Sequence, residues 1–388
     1  MDGRPARLVV VITGLRTGGA ELTLLKVLER LDPAWAPRVI SLTDVGEVGR
    51  RIEALGIPVE ALGLTPGRVG PLAVARLATR LRALRPDVVH TWMYHADLVG
   101  GLAAKLAGGC GIGWAIHNTS LDPDRTKLST RLVARACARL SRLVPDRILS
   151  VSEAARAAHI AIGYAAGRLV VVPNGFDLSR FRPDGEARAE VRRELGLAAE
   201  APVVGLVARW DPLKNIEGFV TVAGLVHGRR ADARFVLVGA GLDRDNARLA
   251  ECTQDAGVSG ATRLLGPRDD VPRLMAALDV LVSPSWGEAF PSVLGEAMAC
   301  GVPCAVTAAG DSAMIVGDSG RVVACGDMAG LAAATDDLLA LSPTQRAELG
   351  ARARGRVASQ FEIGAIVKKY ELFYAGLAAL GAQRKAAG

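Results

Sequence analysis

The chain has 388 residues, of which 50% are hydrophobic and 22% are charged, and its formal net charge is +7. This composition is typical of a folded globular protein, and the length predicts two domains. No segment reaches the ~20 consecutive apolar residues of a membrane-spanning helix, and we expect no signal peptide because no cleavage site follows the short run LVVVITG.

Short apolar runs alternate with helical patterns along the whole chain. The candidate strands of the first half are LVVVITG, RVISL, DVVHT, IGWAI, RILSVS and LVVVP. Those of the second half are PVVGLVA, RFVLVG, TRLLG, DVLVSPS, PCAVT and GRVVA. Most runs are continuous, as in parallel strands that are covered on both faces. The fold class predicted is therefore α/β, with two doubly wound domains in tandem.

A polar, turn-rich segment at residues 174–190 separates the two halves. We therefore expect an N-terminal Rossmann-like domain over residues 1–178 and a C-terminal one over residues 179–360. The last helical pattern, in residues 361–388, is expected to pack back toward the N-terminal domain. Two such domains usually bind a ligand in the cleft beside the carboxyl ends of their strands.

A glycine pair follows the first strand, in GLRTGGAEL. Gly18 and Gly19 lack Cβ atoms, so a phosphate or a sugar could approach the backbone there. The segment does not match the dinucleotide fingerprint G-x-G-x-x-G, and neither does the segment that begins at Gly239. Nicotinamide chemistry is therefore disfavoured.

His117 stands directly after the run IGWAI, at the predicted end of a strand. It is either a hydrogen-bonded loop histidine or a side chain that faces the cleft. His90 and His95 are weaker candidates for a functional role. Their spacing of five does not match the spacing of four that a pair of metal ligands on one helix requires. The triplets DPD (122–124) and DRD (243–245) are interpreted as turn and cap residues, so the sequence predicts no metal site.

An arginine-rich helix is predicted within residues 124–145. Its arginines recur at spacings of four, four and three, so they share one face. They are Arg131, Arg135, Arg139 and Arg142, and Leu128, Leu132, Ala136, Leu140 and Leu143 form an apolar stripe beside them. The pattern fits a solvated amphipathic helix, or a helix that lies on an anionic membrane surface. Six scattered cysteines favour the cytoplasm, with peripheral attachment to the inner face of the membrane as the second hypothesis.

Two cations follow the first strand of the second half, in ARWDPLKN. Arg209 stands at the end of the strand, and Lys214 lies in the loop or first helical turn after it. Arginine can form bidentate hydrogen bonds with a phosphate and lysine supplies a point charge, so together they suit a diphosphate. Taken alone, the pair could equally be surface charge.

Two carboxylates stand eight positions apart in SWGEAFPSVLGEAMACG. On one helix Glu288 and Glu296 would lie ~12 Å apart along the axis and could not serve one atom. Pro291 instead predicts that Glu288 lies in a loop and that a helix carrying Glu296 begins near Ser292 and ends at Gly301. The amino end of that helix would form an anion site flanked by carboxylates.

Several motifs occur together in a recognisable order: GGAE, IHN, VSEAAR, VVPNGFD, ARW with LKN, LGPRDDVPRLMAALDVLVSPS, the two glutamates and EAMACGVP. In this order they resemble the retaining family-four glycosyltransferases (glycosyl transferases group 1), and the resemblance covers about residues 8–375. It implies the GT-B fold, in which two Rossmann-like domains face each other across a cleft.

The resemblance also implies roles in binding a nucleoside diphosphate sugar. Glu296 would bind the ribose hydroxyls and Glu288 the hydroxyls of the donor sugar. Arg209 and Lys214 would hold the diphosphate, and His117 would lie near the reacting face of the sugar.

The remaining donor-binding residues that the resemblance implies are Gly18, Gly19, Leu265, Arg268, Ala289, Phe290, Pro291, Ser292 and Val293. The glycines would lie near the phosphates and the acceptor, and the segment from Leu265 to Arg268 near the base. Ala289 stands where the family usually has glycine, so a positive φ there would cost roughly 1 kcal/mol or more. Trp210 stands where a smaller apolar residue is usual.

The predicted function is therefore transfer of a sugar from a nucleoside diphosphate donor to a hydroxyl, with retention of configuration. We expect His117, Glu288, Arg209 and Lys214 to act in catalysis, and UDP-sugars as donors before GDP-sugars. No cofactor or metal is expected, because the cations and the helix terminus could stabilise the leaving diphosphate. The expected acceptor is a glycan or lipid-linked glycan of cell-envelope, exopolysaccharide or glycolipid assembly.

Two alternatives remain open at this point. One is a sugar-nucleotide epimerase on the same fold, which would need no acceptor. The other is a basic protein that binds phosphate or nucleic acid without turnover. Only 4% of the residues are aromatic and no RNA-binding signature occurs, so we expect no nucleic-acid partner.

Overall fold

The computed structural model describes residues 6–65, 70–119 and 126–387. The chain divides into two compact units. The first contains the residues up to Gly175 and those from Ile363 onward, and the second contains Phe176–Glu362. In the described part of the chain no helix is both long and apolar enough to cross a membrane.

The first unit is built on a parallel sheet of seven described strands. They are β1 (Leu8–Ile12), β2 (Arg38–Ser41), β3 (Val59–Ala61), β4 (Val88–Trp92), β5 (Gly111–Ile116), β6 (Arg147–Ser150) and β7 (Leu169–Val171). The strand order is β3-β2-β1-β4-β5-β6-β7. The direction of winding changes between β1 and β4, which makes the carboxyl ends of these strands a topological switch point.

Helices connect these strands and cover the sheet. They are α1 (Gly19–Leu28), α2 (Gly46–Ala54), α3 (Pro71–Leu84), α4 (Tyr94–Ala107), α5 (Leu128–Leu140) and α6 (Glu153–Ala161). On one face, Val9 and Val11 of β1 and Val89 of β4 pack in a single core that includes residues of α3 and α4. These strands are apolar on both faces because both faces are covered.

The second unit repeats this plan with six described strands. They are β8 (Val203–Val207), β9 (Arg234–Val238), β10 (Thr262–Leu264), β11 (Val280–Ser283), β12 (Cys304–Thr307) and β13 (Arg321–Val323), in the order β10-β9-β8-β11-β12-β13. All pairings are parallel. The switch point lies between β8 and β11.

The helices of the second unit run from α7 to α14. They are α7 (Gly185–Glu194), α8 (Ile216–Arg229), α9 (Ala247–Asp255), α10 (Val271–Ala276), α11 (Ser292–Ala299), α12 (Ser312–Val316), α13 (Met328–Ala340) and α14 (Pro343–Gln360). The chain then returns to the first unit as α15 (Ile363–Ala387). The predicted α/β class with two doubly wound sheets is confirmed.

The sequence missed one described strand, β3. Its three residues, VEA, are half-buried at the edge of the first sheet, so they lack the continuous apolar run that marked the other strands. Every other described strand coincides with one of the predicted runs.

Asp279, directly before β11, joins several elements of the second unit. It accepts hydrogen bonds from Arg188 (2.6 Å), Arg192 (2.7 Å) and Arg346 (3.0 Å), and from the backbone N–H of Val203 (2.8 Å). Burial alone would raise the pKa of this carboxyl, but the neighbouring guanidinium groups outweigh it and lower the pKa. The cluster lies at the amino end of β11, opposite to the loop that carries Glu288.

Candidate functional site

Two loops of the second unit bring Lys214 and Glu288 together. Lys214 ends a short turn after β8, and Glu288 lies in the loop between β11 and α11. The Lys214 Nζ lies 2.7 Å from each carboxylate oxygen of Glu288, and the Ser285 hydroxyl donates to Oε1 at 2.8 Å. The side chain of Glu288 is 8% exposed and that of Lys214 is 26% exposed, so water screens this ion pair only partly.

Asn215 connects the same two loops, and sequence reasoning gave it no role. Its φ of +51° is in the left-handed region, which asparagine tolerates better than most residues. Its Oδ1 accepts the N–H of Gly218 at 3.2 Å and caps α8, and its Nδ2 donates to the carbonyl of Pro284 at 3.1 Å. An asparagine before a helical pattern is a preferred cap, and this was the available signal.

Arg209 and Asp211 form a second ion pair in the loop after β8. The Asp211 Oδ2 lies 2.9 Å from Nη2 and 3.1 Å from Nε of Arg209, and its Oδ1 accepts the N–H of Leu213 at 2.9 Å. Burial alone would raise the pKa of Asp211, but the Leu213 amide and Arg209 outweigh it and lower the pKa. Asp211 therefore orients Arg209 and also caps the turn that ends at Lys214.

Helix α11 begins at Ser292, the residue predicted from Pro291. Pro291 is the N-cap with ψ of 96°, and Gly301, with φ of +74°, follows the carboxyl end. Glu288 lies in the preceding loop, as predicted, and Glu296 lies in the second turn of the helix. The two carboxylates are therefore carried by different elements, which one continuous helix could not achieve.

The backbone strain considered for Ala289 does not arise. The described non-glycine residues with positive φ are Ala36, Arg85, Met93 and Asn215, so Ala289 is not among them. The left-handed residue at this place is Gly310, with φ of +55°. A Cβ atom on Gly310 would overlap the carbonyl oxygen of Glu288, so this glycine lets a second loop support the Glu288 backbone.

Two apolar residues between the glutamates, Phe290 and Val293, differ in their side-chain surroundings. Phe290 is buried and stacks on Phe176 with ring centroids 6.1 Å apart, so its side chain belongs to the core. Val293 lines a small cavity together with Ser285, Lys214 and Glu288. Val293 is therefore the apolar side chain of this segment that lies beside the ion pair.

Arg268, expected near the base, is engaged by acidic side chains of its own unit. Its guanidinium donates twice to Asp270 at 2.8 Å and once to Glu194 at 3.0 Å. These bonds raise the pKa of Arg268. Leu265 extends the pairing of β10 with a backbone bond to Leu237 at 3.0 Å. Contact of Leu265 and Arg268 with a base stays a prediction.

In the first unit, Gly18 is the N-cap of α1 and Gly19 is its first residue. Gly18 is extended, with φ of −163°, but a Cβ atom there would overlap the carboxylate of Glu21. Burial raises the pKa of Glu21, although its own backbone amide opposes this shift. A carboxylate of the protein thus already lies beside the helix terminus predicted to meet phosphate, and sequence reasoning assigned Glu21 no role.

His117 follows β5 directly and stacks on Trp92 at the end of β4. The ring centroids are 4.5 Å apart and the planes differ by 22°. Burial lowers the pKa of His117 to about 3, so the imidazole is neutral at physiological pH. Its Nε2 is buried and has no hydrogen-bond partner among the residues that the structure describes.

Of the two acidic triplets, the one that the structure describes, 243–245, forms a turn. The triplet at 122–124 lies outside the described residues. In the other, Asp243 Oδ1 accepts the backbone N–H of Asp245 at 3.1 Å, which is a turn contact. Within residues 6–65, 70–119 and 126–387, no group of three or more His, Cys, Asp or Glu side chains could hold a metal ion.

Helix α5 turns small residues toward the core and arginines toward an open groove. Arg135, Arg139 and Arg142 line this groove together with Ile162 and Gly163. The buried residues of the helix are Ala134, Cys137 and Ala138. Leu128, Leu132 and Leu143 are 64%, 54% and 68% exposed, so this part of the predicted apolar stripe faces solvent beside the arginines.

Two Rossmann-like units, each with a switch point, define an α/β protein of the GT-B class. Residues 17–180 match the family described as Glycosyltransferase Family 4, and residues 201–340 match Glycosyl transferases group 1. The chain belongs to this family of glycosyltransferases, as the motifs predicted.

Relatives of known or assigned activity span most of the chain. A putative glycosyltransferase EpsF of Bacillus subtilis is 28% identical over 79% of this chain and 80% of its own length. A D-inositol 3-phosphate glycosyltransferase of Corynebacterium urealyticum is 30% identical over 73% of this chain and 70% of its own length. The structure of Anabaena HepE in complex with UDP has a TM-score of 0.83 and 24% identity, and covers 95% of this chain and all of HepE. This last likeness establishes the fold.

Proposed function

We propose that the protein transfers a sugar from a UDP-sugar to a hydroxyl acceptor, with retention of configuration and without a divalent metal. The observation that carries this proposal is the Lys214–Glu288 pair, held at the carboxyl edge of the second sheet, with Arg209 in the same loop as Lys214. A cation and a carboxylate in contact can serve two adjacent parts of one ligand, an anionic diphosphate and a sugar hydroxyl. HepE, of the same fold, has also been solved with UDP-glucose, which supports UDP over GDP.

The proposed mechanism depends on the two cations and the two carboxylates of the second unit. Lys214 would exchange part of its contact with Glu288 for the diphosphate, and Arg209 would reach the same group from its exposed position. Both cations, with the amino end of α11, would stabilise the negative charge that develops as UDP leaves. Glu288 would then accept hydrogen bonds from the sugar hydroxyls, and Glu296 from those of the ribose.

The reacting face needs no protein nucleophile in this proposal. The acceptor hydroxyl would attack from the side that UDP leaves, and a diphosphate oxygen would take its proton. His117 would contact the sugar as a neutral imidazole, because its burial opposes protonation. A group that stays neutral can donate or accept a hydrogen bond without adding charge to the site.

The proposed acceptor is a glycan or a lipid-linked glycan of cell-envelope assembly. An Escherichia coli relative, 29% identical over 58% of this chain and 59% of its own length, is named for a diphosphoundecaprenol-linked acceptor. The exposed leucines and arginines of α5 suit the surface of an anionic bilayer, and we place the protein in the cytoplasm with peripheral contact to the inner face of the membrane. Co-sedimentation with anionic vesicles should occur at low salt and weaken at high salt. Retained binding after Arg135, Arg139 and Arg142 are changed to Gln would contradict this placement.

Donor chemistry is tested by incubating the protein with UDP- and GDP-sugars, without acceptor and in the presence of EDTA. Slow release of UDP and free sugar, with the anomeric configuration read by NMR at early times, would support the proposal. Release of an altered nucleotide sugar would indicate an epimerase instead. Lys214→Ala should abolish the reaction, whereas Arg229→Ala, at an exposed arginine paired with Asp336, should leave it unchanged.

A further inference from the structure

One face of the first sheet, behind His117, is covered by α15. His90 and Trp92 are alternate residues of β4 and therefore point to the same face. The neighbouring strand β5 has Gly111 and Gly113 here. A Cβ atom on Gly113 would lie 2.8 Å from the Leu377 side chain, and one on Gly111 would overlap the Leu377 backbone. The glycines thus let α15 pack directly against the strands that end at His117.

The His117 ring is oriented by stacking rather than by a hydrogen bond at Nε2. That nitrogen is buried and has no partner among the described residues. The indole of Trp92 lies nearly parallel to the imidazole, with centroids 4.5 Å apart. Trp92 is itself fully buried, so its indole has a fixed position. The imidazole of His117 stacks on the flat face of this indole.

Trp92 is in turn held by a hydrogen bond and by rings of α15. Its Nε1–H donates to Nδ1 of His90 at 3.1 Å. The hydroxyl of Tyr374, on α15, lies 3.1 Å from the same nitrogen. Tyr370, two turns into α15, is nearly parallel to the indole, at an interplanar angle of 14° and a centroid distance of 6.2 Å. All four of these side chains are fully buried.

We propose that Trp92 is a positioning residue for His117, and that α15 keeps Trp92 in place through Tyr370 and Tyr374. The proposal rests on the proposed role of His117 at the reacting sugar. A displacement of about 1 Å in a catalytic group can lower turnover by roughly a hundredfold. Helix α15 thereby contributes to the placement of His117 through Trp92.

The orientation of His117 can be measured in the protein alone by NMR with labelled histidine. The His117 ring signals are assigned from their loss in His117→Ala. Loss of the indole removes its ring current in any case, so the orientation is read from the nuclear Overhauser effects of the His117 ring protons, which should change in Trp92→Leu and change less in Tyr374→Phe, which removes one hydroxyl. Trp114→Phe is the matched control, because Trp114 is a fully buried tryptophan in the core on the opposite face of the sheet. If Trp92→Leu does not fold, Trp92→Phe serves the same test.

Turnover distinguishes positioning from a general loss of stability. With UDP-glucose as probe, Trp92→Leu should lower the hydrolysis rate roughly ten- to hundredfold and leave UDP affinity within about twofold. Adding Trp92→Leu to His117→Ala should cause little further loss, because Trp92 acts through His117.

Two results would overturn the proposal. One is unchanged Overhauser effects of the His117 ring protons in folded Trp92→Leu or Trp92→Phe. The other is a fully additive loss of turnover in the double variant. Unchanged turnover in His117→Ala itself would instead overturn the proposed role of His117, and the NMR result would still decide whether Trp92 orients the ring.

Discussion

The Lys214 Nζ is equidistant, at 2.7 Å, from the two carboxylate oxygens of Glu288. The partners are 74 positions apart in sequence and belong to loops that follow β8 and β11, the strands on either side of the switch point. In this symmetrical contact the carboxylate of Glu288 compensates the positive charge of Lys214. A diphosphate that uses Lys214 must therefore compete with Glu288, and each partner can be tested separately.

Removing the cation should weaken nucleotide binding. We expect Lys214→Ala to lower UDP affinity roughly ten- to hundredfold, because a charge-assisted hydrogen bond contributes about 1.5–3 kcal/mol. Glu296→Ala should do the same if it binds the ribose. Isothermal titration calorimetry measures both, and affinities within twofold of the parent protein would contradict the assigned site.

Removing the competing carboxylate should have the opposite effect on binding. We expect Glu288→Gln to bind free UDP more tightly than the parent protein, because Lys214 then loses its fixed partner. Turnover of a UDP-sugar should nevertheless fall, since an amide accepts weaker hydrogen bonds from the sugar hydroxyls than a carboxylate does. Glu217→Gln, at an exposed carboxylate of the same unit, is the matched control and should change neither quantity. Weaker UDP binding in Glu288→Gln would count against competition for Lys214.

Substitutions at Asn215 should separate its backbone role from its side-chain role. Asn215→Gly keeps the left-handed backbone but loses the cap of α8, at a few tenths of a kcal/mol, and the bond to Pro284, at about 1 kcal/mol of unfolding free energy. Asn215→Ala loses the same bonds and also places a Cβ atom at positive φ, which adds about 1 kcal/mol. Urea denaturation of both variants gives the comparison. Equal stability of the two would show that the φ of +51° carries no strain for alanine.

Removing the buried Arg192 should lower the unfolding free energy far more than removing an exposed arginine of the same unit. Arg192 is 4% exposed and its partner Asp279 is 5% exposed. Arg192→Ala removes one of the three arginines that bind Asp279 and also removes the donor to the carbonyls of Ala199 and Ala201, so it should lower the unfolding free energy by about 1.5–3 kcal/mol. Arg248→Ala breaks two exposed pairs, which water screens, and should lower the unfolding free energy far less. Similar midpoints for the two variants in urea would contradict this ranking.

Acid should destabilise the first unit through histidines whose pKa is lowered by burial. Burial lowers the pKa of His90 and of His117 to about 3, against about 6.5 in an unfolded chain. The unfolded state therefore binds more protons, and stability present above pH 6.5 is lost as the pH falls from about 6.5 toward 3. Each histidine contributes a slope of up to about 1.4 kcal/mol per pH unit. The slope of unfolding free energy between pH 7 and 5 should be shallower in His117→Ala, and an unchanged slope would mean that the ring is protonated in the folded protein.

The sequence determined the elements of the fold more completely than the contacts of the site. Continuous apolar runs marked the buried strands, and Pro291 marked the start of α11 because proline suits the first turn of a helix. The cap of α8 had a signal in the sequence, an asparagine before a helical pattern, but the left-handed backbone of Asn215 and its bond to Pro284 could not be derived, since they depend on the neighbouring loops. The stacking of His117 on Trp92 was also missed, because it requires the register that pairs Trp92 with Ala115.

The cover that α15 provides over Gly111 and Gly113 has a consequence for biosynthesis. A ribosome makes the strands of the first sheet before the second unit, but α15, the helix that covers one face of that sheet, follows the second unit in the chain. The second unit, which ends at Glu362, is complete in the nascent chain before that helix exists. The first unit is thus completed only after the second, and the apolar face that α15 covers is exposed during the synthesis of the whole second unit, when chaperones can bind it.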